Sequence, residues 1–319
     1  MPKSPLVSVL VPTYNGARYL DQTLRCISEQ THRALEIIVR DDGSTDGTLE
    51  IARSYAANDR RFQVVVSEQN GGAMHNFIEA AKLATAKFIK YCNQDDLLER
   101  TCVEKLVSPL LQDRNISLAT STRRLIDGSG GELAPQSWSL PLVEENRVLT
   151  GQSVASRMLL TGTNQIGEPT TVLFRNGLVE PDELFVYRGA TFAVNGDIAL
   201  WLNLLAKGNI YVHADILSSF RLHTSQRSAD LKTQAEGALE WVDFLRGGLE
   251  SGVIKPGAAA AFAGRSVVTA LSNTLTLMAK STDNGLHPYI GRLAEAITVA
   301  WQMATAAAEG HVQPRAQVA

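Results

Sequence analysis

Residues 7–48 read VSVLVPTYNGARYLDQTLRCISEQTHRALEIIVRDDGSTDGT, and strand-like and helix-like patterns alternate along them. Its β-branched, apolar opening, VSVLVP (7–12), predicts a strand that stops at Pro12. The next segment, ARYLDQTLRCISEQ (17–30), places Leu20, Leu24 and Ile27 on one face of a helix. LEIIVRDDG (35–43) then predicts a second strand that runs into a turn. A strand, a helix and a strand in this order are typical of a parallel α/β sheet.

The same alternation continues outward along the first third of the chain. A helix, a strand, a Gly-rich turn with a helix, and a fourth strand are predicted at 45–58, 62–68, 70–85 and 87–96. The strands are continuously apolar, so we expect a mostly parallel sheet with helices on both faces. Polar clusters follow the strands at Thr13-Tyr14-Asn15, Asp41-Asp42, Asn70-Gly71-Gly72 and 93–96. Since ligands of such sheets bind at the carboxyl ends of the strands, these four loops predict one shared ligand site.

Beyond residue 115 the pattern becomes irregular and then helical. NQIGEPTTVLFRNG (164–177) predicts a short strand between two turns. DIALWLNLLAKG (197–208) predicts a helix that ends at Gly208, and further helices are predicted at 231–251, 257–280 and 286–309. We therefore expect one α/β domain with halves at 1–115 and 116–230, followed by a helical extension over 231–319. The last residues, HVQPRAQVA (311–319), are expected to be disordered.

The composition is that of an ordinary soluble protein of about two domains. The 319 residues are 45% hydrophobic and 20% charged, and the net charge of −3 offers no electrostatic footprint for nucleic acid. Cys26, Cys92 and Cys102 lack metal-ligand spacing and fit a reducing, cytoplasmic setting. No signal peptide is expected. The apolar stretch 257–279 carries Arg265, so we expect an amphipathic or buried helix rather than a membrane span.

Two acidic motifs each allow more than one interpretation. The turn from Asp41 to Asp46 could be solvated and cap a helix. A phosphatase motif D-x-D-G-[ST] fails, because Arg40 stands where the nucleophilic Asp must be. Asp95 and Asp96 could begin a helix, since acidic residues favour its first turn. They could equally belong to a hard-cation site, because Mg²⁺ is held by one or two carboxylates together with waters and phosphates.

Taken together, residues 7–48, NGG (70–72) and NQDD (93–96) resemble the family-2 glycosyltransferases, which are nucleotide-sugar-dependent enzymes of bacterial type with the GT-A fold. The resemblance returns in NGDIALWLNLLAKGNIYVHADILSSFRLHTSQRS (195–228). It implies a GT-A domain whose first half (1–115) binds the nucleotide sugar and whose second half (116–230) binds the acceptor and carries out catalysis.

The resemblance implies that residues at the strand ends contact the nucleotide: Pro12, Thr13, Tyr14, Asn15, Asp42, Asn70, Asn93 and Asp95. The turn at 12–15 would cradle the nucleoside, largely through backbone groups. Asp42 would accept a hydrogen bond from a uracil- or thymine-like N3–H. Two positions depart from the family pattern, since Asn93 replaces the first Asp of D-x-D and His75 stands where an Arg is common. Asn93 can bond a ribose hydroxyl but brings no charge, which lowers the expected affinity for a metal.

The resemblance also implies a metal ligand, a base and an acceptor contact. Asp95 would bind Mn²⁺ or Mg²⁺ that bridges the two phosphates. Asp197 would be the general base that takes a proton from the acceptor hydroxyl, whereas the sequence alone favours a helix N-cap there. His223 is either a further metal ligand or a structural histidine, and the neighbouring Arg221 could meet phosphate. Glu168 is either an acceptor contact or part of a tight turn.

The implied function is inverting transfer of one sugar from a UDP- or dTDP-sugar to a hydroxyl of a glycan or lipid-linked acceptor, as in polysaccharide biosynthesis for the cell envelope. The absence of the Q-x-x-R-W motif of processive synthases favours single-sugar transfer. A catalytically silent nucleotide-sugar-binding module stays open as an alternative. A nucleotidylyltransferase is disfavoured, because PTYNGARY (12–19) has a single Gly. The helices after 231 could pack on the domain, form a homodimer, or touch the inner face of a membrane.

Overall fold

The computed structural model describes residues 4–226 and 229–310, so the expected disorder at 311–319 lies outside the described residues. The strands are β1 (Val7–Thr13), β2 (Leu35–Asp41), β3 (Phe62–Val66), β4 (Phe88–Tyr91), β5 (Leu97–Leu98), β6 (Ile116–Ile126), β7 (Glu132–Leu133), β8 (Arg147–Leu149), β9 (Leu173–Arg175), β10 (Val186–Tyr187), β11 (Ala190–Thr191) and β12 (Asn209–Arg221). The helices are α1 (Ala17–Ser28), α2 (Thr48–Asn58), α3 (Ala73–Leu83), α4 (Cys102–Gln112), α5 (Gly151–Thr161), α6 (Gly196–Lys207), α7 (Leu231–Glu250), α8 (Ala258–Ala279) and α9 (His287–Ala308).

The main sheet has the strand order β3-β2-β1-β4-β9-β6-β12-β5. In addition, β7 pairs with β6 and β8 pairs with β12. β1 pairs in parallel with β2 and β4, β2 pairs in parallel with β3, and β6 pairs in parallel with β12. The short β9 runs antiparallel between β4 and β6. The predicted α/β fold with a mostly parallel sheet and surrounding helices is therefore confirmed.

The core of the sheet explains why its central strands are continuously apolar. Every residue of β1 is buried, because helices cover it and strands pair with it on both sides. The predicted helical stripe of Leu20, Leu24 and Ile27 is fully buried in the same cluster as Val9 and Val11. The apolar face of α1 and the centre of the sheet therefore stabilise one another.

The chain folds into two compact units, each assembled from segments that are distant in sequence. The first, called here the sheet unit, comprises the described parts of Met1–Gly151 together with Gln165–Phe185 and Asn203–Leu222. The second, called the helical unit, comprises Gln152–Asn164, Val186–Leu202 and the described parts of His223–Ala319. Within the helical unit, the ring of Phe244 from α7 stacks on Phe192 with centroids 3.9 Å apart.

The three C-terminal helices lie within one residue of their predicted bounds. Small residues let α8 and α9 approach closely: a Cβ added at Gly264 would lie 2.0 Å from the Cβ of Ala304. Across residues 4–226 and 229–310, no helix has the length and apolar character needed to cross a membrane.

All three cysteines are free thiols of the sheet unit. Burial raises the pKa of Cys26 to about 12 and that of Cys102 to about 11. Burial also raises the pKa of Cys92 well above its usual value.

Candidate active site

The parallel strands β1, β2 and β4 end at the same edge of the sheet, which brings together the polar clusters that the sequence singled out. The backbone N–H of Asp42, after β2, donates to the carbonyl of Thr13 at the end of β1 at 2.9 Å. Asn93 follows β4, which pairs with the other side of β1. The strand-end loops of the sheet unit therefore form one polar region, and a shared ligand site there stays a prediction.

Backbone donors in the loop between β1 and α1 are already engaged. Four consecutive N–H groups donate to side chains: Tyr14 to Gln94, Asn15 to Ser44, Gly16 to Thr48 and Ala17 to Asp46. These hydrogen bonds fix the conformation of the loop, and the contact of residues 12–15 with a nucleoside stays a prediction. Pro12 and Thr13 are buried, whereas Tyr14 is 42% exposed and Asn15 is also exposed, so these two residues form the surface of the loop.

Gln94 connects this loop to the end of β4, a role that sequence reasoning missed. Its side-chain oxygen accepts from the Tyr14 N–H at 2.9 Å, and its side-chain nitrogen donates to the Tyr14 carbonyl at 3.1 Å. A Cβ at Gly16 would lie 2.2 Å from the Gln94 oxygen, so the close approach requires glycine at position 16. The only sequence signal was an amide at the variable middle position of the D-x-D motif.

Asn15 connects the same loop to the turn after β2. It adopts a left-handed conformation with φ of 47°, which asparagine tolerates better than most residues. Its side-chain oxygen accepts from the Thr45 N–H at 2.9 Å. The Asp41 carboxylate closes the turn by accepting from the Ser44 N–H at 2.9 Å and from the Thr13 hydroxyl at 3.2 Å.

Asp42, the predicted base-binding residue, is 1% exposed and held by two neighbours. One carboxylate oxygen accepts from the Gly72 N–H at 2.9 Å, and the other lies 3.3 Å from the Arg40 guanidinium. Asn70 accepts from the same Gly72 N–H at 2.7 Å. A carboxylate offers about four lone-pair positions, so Asp42 keeps acceptor capacity for a ligand.

Asn76 joins α3 to the end of β1, a role that the sequence did not predict. Its side-chain nitrogen donates to the Thr13 carbonyl at 3.0 Å, and its oxygen accepts from Arg40 at 2.8 Å. The exposed His75 precedes it at the start of α3. Asn76 therefore fixes the end of β1 and the arginine beside Asp42.

Asp96 is a structural carboxylate and does not begin a helix, because α4 starts only at Cys102. It is fully buried and accepts from the Thr170 hydroxyl at 2.6 Å and from the Arg221 N–H at 3.0 Å. Burial, with the nearby charge of Asp95, raises the pKa of Asp96 well above its usual value, and these hydrogen bonds oppose the rise. Asp96 also accepts from the Asn93 side chain at 3.0 Å, which orients Asn93 at the strand end.

Arg221 serves the fold rather than a phosphate, which corrects the sequence-based expectation. The residue is fully buried, and its guanidinium donates to the Asp95 carbonyl at 2.8 Å and to the Gln22 side chain at 2.9 Å. The guanidinium carbon also lies 4.6 Å from the centre of the Tyr19 ring. This arginine therefore anchors the backbone that carries Asp95.

The donor groups near Asp95 are compatible with a metal ion that shares its coordination with a substrate. Among the described residues, no group of three or more His, Cys, Asp or Glu side chains could hold a metal ion. Asp96 is buried and hydrogen-bonded and Asn93 is neutral, whereas the Asp95 carboxylate is only half-buried. Mg²⁺ is commonly held by one or two carboxylates plus waters and substrate phosphates, and such a site fits these residues.

Glu168, the predicted acceptor contact, forms a buried ion pair. Its carboxylate lies 3.0 Å from the Nε of Arg123, whose guanidinium also donates to the Trp138 carbonyl at 2.7 Å. Burial raises the pKa of Glu168, and the charges of Arg123 and Lys90 oppose that rise. The Glu168 carbonyl accepts from the Thr171 N–H at 2.9 Å, so the predicted tight turn is present.

Asp197, the predicted general base, belongs to the helical unit and lies in the first turn of α6. Because α6 begins at Gly196, Asp197 is not the N-cap residue. One carboxylate oxygen accepts from the Ile198 N–H and the other from the Asn164 side chain, both at 2.8 Å. Sequence reasoning did not single out Asn164, although it lies only four residues before Glu168.

His223 also belongs to the helical unit, two residues after the end of β12. Its Nδ1 lies 2.8 Å from the Ser225 hydroxyl, and its backbone N–H donates to the Gln226 side chain at 3.1 Å. Metal binding by His223 stays a prediction.

Comparison with known proteins identifies the family. The model of the family "Glycosyl transferase family 2" matches residues 8–172. The chain is 27% identical over 232 residues to the Bacillus subtilis (strain 168) protein named "Putative teichuronic acid biosynthesis glycosyltransferase TuaG". The aligned residues make up 71% of this chain and 82% of that protein. It is 32% identical over 130 residues to the chondroitin synthase of Pasteurella multocida (strain Pm70), which covers 41% of this chain and 13% of that protein.

Solved structures show the same fold. Staphylococcus aureus TarS 1–349 in complex with UDP-GlcNAc superposes with a TM-score of 0.57 at 18% identity, over 96% of this chain and 92% of that one. The mannosyltransferase PcManGT from Pyrobaculum calidifontis, in complex with GDP-Man and Mn²⁺, gives a TM-score of 0.53 at 17% identity, over 95% of this chain and 88% of that one. The family model covers more than half of the sequence, and the chain therefore belongs to glycosyl transferase family 2.

Proposed function

We propose that this protein transfers a single sugar from a UDP- or dTDP-sugar to a hydroxyl of a glycan or lipid-linked acceptor, with inversion at the anomeric carbon. The observation that carries the proposal is the network of strand-end loops, in which Gln94, Asn15 and Asn76 hold the β1, β2 and β4 loops together. TarS, a structural neighbour, was solved with UDP and with UDP-GlcNAc, which supports a uridine nucleotide as the donor class.

On the donor side, the exposed ring of Tyr14 would face the nucleoside and Asp42 would accept the N3–H of the base. Asn70 and Asn93 would supply polar contacts to the nucleotide, with Asn93 facing a ribose hydroxyl. Asp95 would bind Mn²⁺ or Mg²⁺ together with the diphosphate, and the ion when bound would neutralise charge on the leaving group. His223 is proposed as a further ligand of that ion.

On the acceptor side, Asp197 would accept the proton of the attacking hydroxyl. Asn164 and the Ile198 N–H hold its two oxygens, and such contacts fix the orientation of a base. Because a single base activates the acceptor and no nucleophilic side chain is required, displacement in one step would invert the anomeric carbon. The Glu168–Arg123 pair is proposed to contact the acceptor.

Two substitutions separate donor binding from catalysis. We expect Asp95→Ala to weaken UDP binding in the presence of Mn²⁺ by roughly tenfold or more, because a metal ligand is lost. We expect Asp197→Asn to leave UDP binding unchanged and to lower transfer by at least ~10²-fold, because the base is lost. Calorimetric titration of UDP with and without Mn²⁺ gives the first result, and UDP release in the presence of acceptor gives the second.

A matched Asp→Asn control is available at Asp215, which is 54% exposed at its side chain and pairs with Lys105. Asp215→Asn should change neither UDP binding nor transfer. Full transfer activity in Asp197→Asn would remove the assignment of the base, and tighter binding of GDP than of UDP would remove the donor class.

The second candidate function is a catalytically silent nucleotide-sugar-binding module, and Asn93 in place of the usual Asp is the observation that favours it. This alternative predicts metal-dependent UDP binding without release of UDP from any donor, with or without a broad panel of acceptors. Turnover of one donor by the wild-type protein, lost in Asp197→Asn, would exclude it.

A further inference from the structure

The loop that leads into α6 is attached to helix α7 by one side chain. The Glu240 carboxylate accepts hydrogen bonds from three consecutive backbone N–H groups. Ala193 and Val194 donate to one oxygen at 2.6 Å and 3.0 Å, and Asn195 donates to the other at 2.7 Å. Hydrogen bonds to a carboxylate are shorter and stronger than those between neutral groups. Glu240 therefore fixes the backbone of residues 193–195.

A second contact attaches the same loop one turn earlier on α7. The Asn195 side chain donates to the Gly237 carbonyl at 2.8 Å. A Cβ at Gly237 would lie 3.1 Å from the Val194 side chain, so the absence of a side chain at 237 permits the close approach. Both partners of every bond lie within the helical unit.

Asn195 connects these contacts with the start of α6. Asn195 directly precedes α6, where an asparagine side chain commonly caps the N–H groups of its own helix. Here its amide nitrogen reaches α7 instead. The start of α6 is therefore oriented by another helix, and Asp197 lies two residues after this anchor.

We infer that Glu240 is a positioning residue for the general base: by holding residues 193–195 on α7, it sets where the first turn of α6 places the Asp197 carboxylate. The inference rests on the proposed function, in which Asp197 is the base. It makes α7, which lies beyond the residues 8–172 that match the family model, a component of the catalytic apparatus.

Glu240→Gln is the sharpest test, because it preserves size and removes one acceptor. The amide would present an N–H₂ group to at least one of the three N–H donors, so at least one hydrogen bond is lost. We expect kcat to fall roughly 10- to 100-fold, as misplacement of a catalytic group does. The donor KM should stay within about twofold and calorimetric UDP binding should keep its stoichiometry, because the loop that Glu240 holds, residues 193–195, contains none of the predicted nucleotide-binding residues.

Glu236→Gln is the matched control. Glu236 lies one turn before Glu240 on α7 and pairs with Arg292 at 2.6 Å, so the charge change is the same while the loop is untouched. Its kcat should remain within about twofold of the wild-type value.

A double-mutant cycle shows whether Glu240 acts through Asp197. In the Asp197→Asn background, Glu240→Gln should lower the residual kcat no further, because the group being positioned is gone. An equal loss of kcat in both backgrounds would overturn the inference. A loss of kcat matched by an equal loss of UDP-binding stoichiometry reports unfolding rather than positioning, and a second variant then carries the test.

If Glu240→Gln fails to fold, Asn195→Ala carries the same test, because it removes only the bond to Gly237. A several-fold loss of kcat with unchanged donor KM is then expected, and unchanged kcat would overturn the inference. These outcomes can be told apart from a failure of the proposed function. If Asp197→Asn is fully active, the proposed function fails. If Asp197→Asn is inactive and Glu240→Gln is fully active, only the inference about Glu240 fails.

Discussion

Gln94 illustrates how a single side chain can organise a binding region. It forms two hydrogen bonds with the backbone of Tyr14 and so fixes the loop that presents the Tyr14 ring. The neighbouring Asp95 lies on the same short segment, so the order of the Tyr14 loop and the position of Asp95 are linked through one residue.

We predict that Gln94→Ala destabilises the protein and weakens nucleotide binding. The loss of two hydrogen bonds should lower the free energy of unfolding by about 1–3 kcal/mol. The loosened loop should raise the Kd for UDP roughly fivefold, because the loop must be ordered on binding. Urea unfolding and calorimetric titration measure the two effects. Gln112→Ala, which removes an exposed contact to Ser108, should change neither, and an unchanged Kd in Gln94→Ala would contradict the role of the loop.

For individual residues, the sequence predicted where the polar side chains lie better than it predicted which groups they bond. The apolar runs set the strand ends, so Asp42 and Asp95 could be placed there from the pattern alone. Which of Asp95 and Asp96 is buried depends on Thr170 and Arg221, which are 74 and 125 residues away from Asp96 along the chain. Contacts at such separations are not visible in a local pattern.

At the scale of elements, Asp46 joins the starts of α1 and α2. Its carboxylate accepts from the Ala17 N–H at 3.1 Å and from the Thr48 N–H at 3.0 Å, so it satisfies donors at two helix N-termini. Burial tends to raise the pKa of Asp46, but the bonds from the Thr48 hydroxyl and from backbone N–H groups outweigh it, and the pKa is lowered.

We predict that Asp46→Asn lowers the free energy of unfolding at neutral pH by about 0.5–1 kcal/mol, at the lower end for a cap because the side chain is exposed. Since the pKa is lower in the folded state, the stabilisation is present above the unfolded pKa and is lost as pH falls through the folded pKa. The difference between wild type and variant should therefore shrink below about pH 4. Urea unfolding between pH 7 and pH 3 measures it, and a difference that grows on acidification would contradict this sign.

The contact between α8 and α9 predicts opposite effects for two glycines. At Gly264 an added Cβ would lie 2.0 Å from the Ala304 Cβ, so Gly264→Ala should cost about 1–3 kcal/mol by overpacking. At Gly291 of α9 an added Cβ would meet nothing within 4 Å, so Gly291→Ala should stabilise by up to ~1 kcal/mol through helix propensity. Thermal unfolding of both variants measures the contrast, and a stable Gly264→Ala protein would show that the helices can separate there.

Long, periodic or continuously apolar elements were predicted well, and short ones were not. The C-terminal helices were placed within one residue because each presents many turns of regular pattern. The strand in 164–177 was anticipated, but its place as β9, antiparallel between β4 and β6, was not. Three residues carry too little pattern to specify their partners, and strand order depends on pairing across the whole sheet.

At the scale of the whole molecule, ligand binding should stabilise the protein in a defined way. With the nucleotide at 100 times its Kd, we expect stabilisation by about 2.7 kcal/mol, because the ligand binds only the folded chain. UDP with Mn²⁺ should therefore raise the Tm more than UDP alone, and Asp95→Ala should lose the increment due to the metal. A thermal-shift series over UDP, dTDP and GDP measures this, and a larger shift with GDP would contradict the proposed donor.

The division of the chain into units could not be obtained from the sequence. The predicted boundaries near residues 115 and 230 cut the chain into consecutive pieces, and they stay a prediction. The helical unit instead combines 152–164, 186–202 and the C-terminal helices, and it contains Asp197, Asn164 and Glu240. Discontinuous units form because helices pack with distant segments, and local periodicity does not specify those partners.

The high pKa values of the cysteines have a practical consequence for experiments on this enzyme. With values of about 12 and 11 for Cys26 and Cys102, the thiolate fraction at neutral pH is on the order of 10⁻⁴ or less. Maleimide reagents attack thiolates, so they should leave the native side chains unlabelled. A cysteine introduced at an exposed position would then take up a single fluorophore, and nucleotide binding could be followed by its fluorescence in the otherwise unaltered protein.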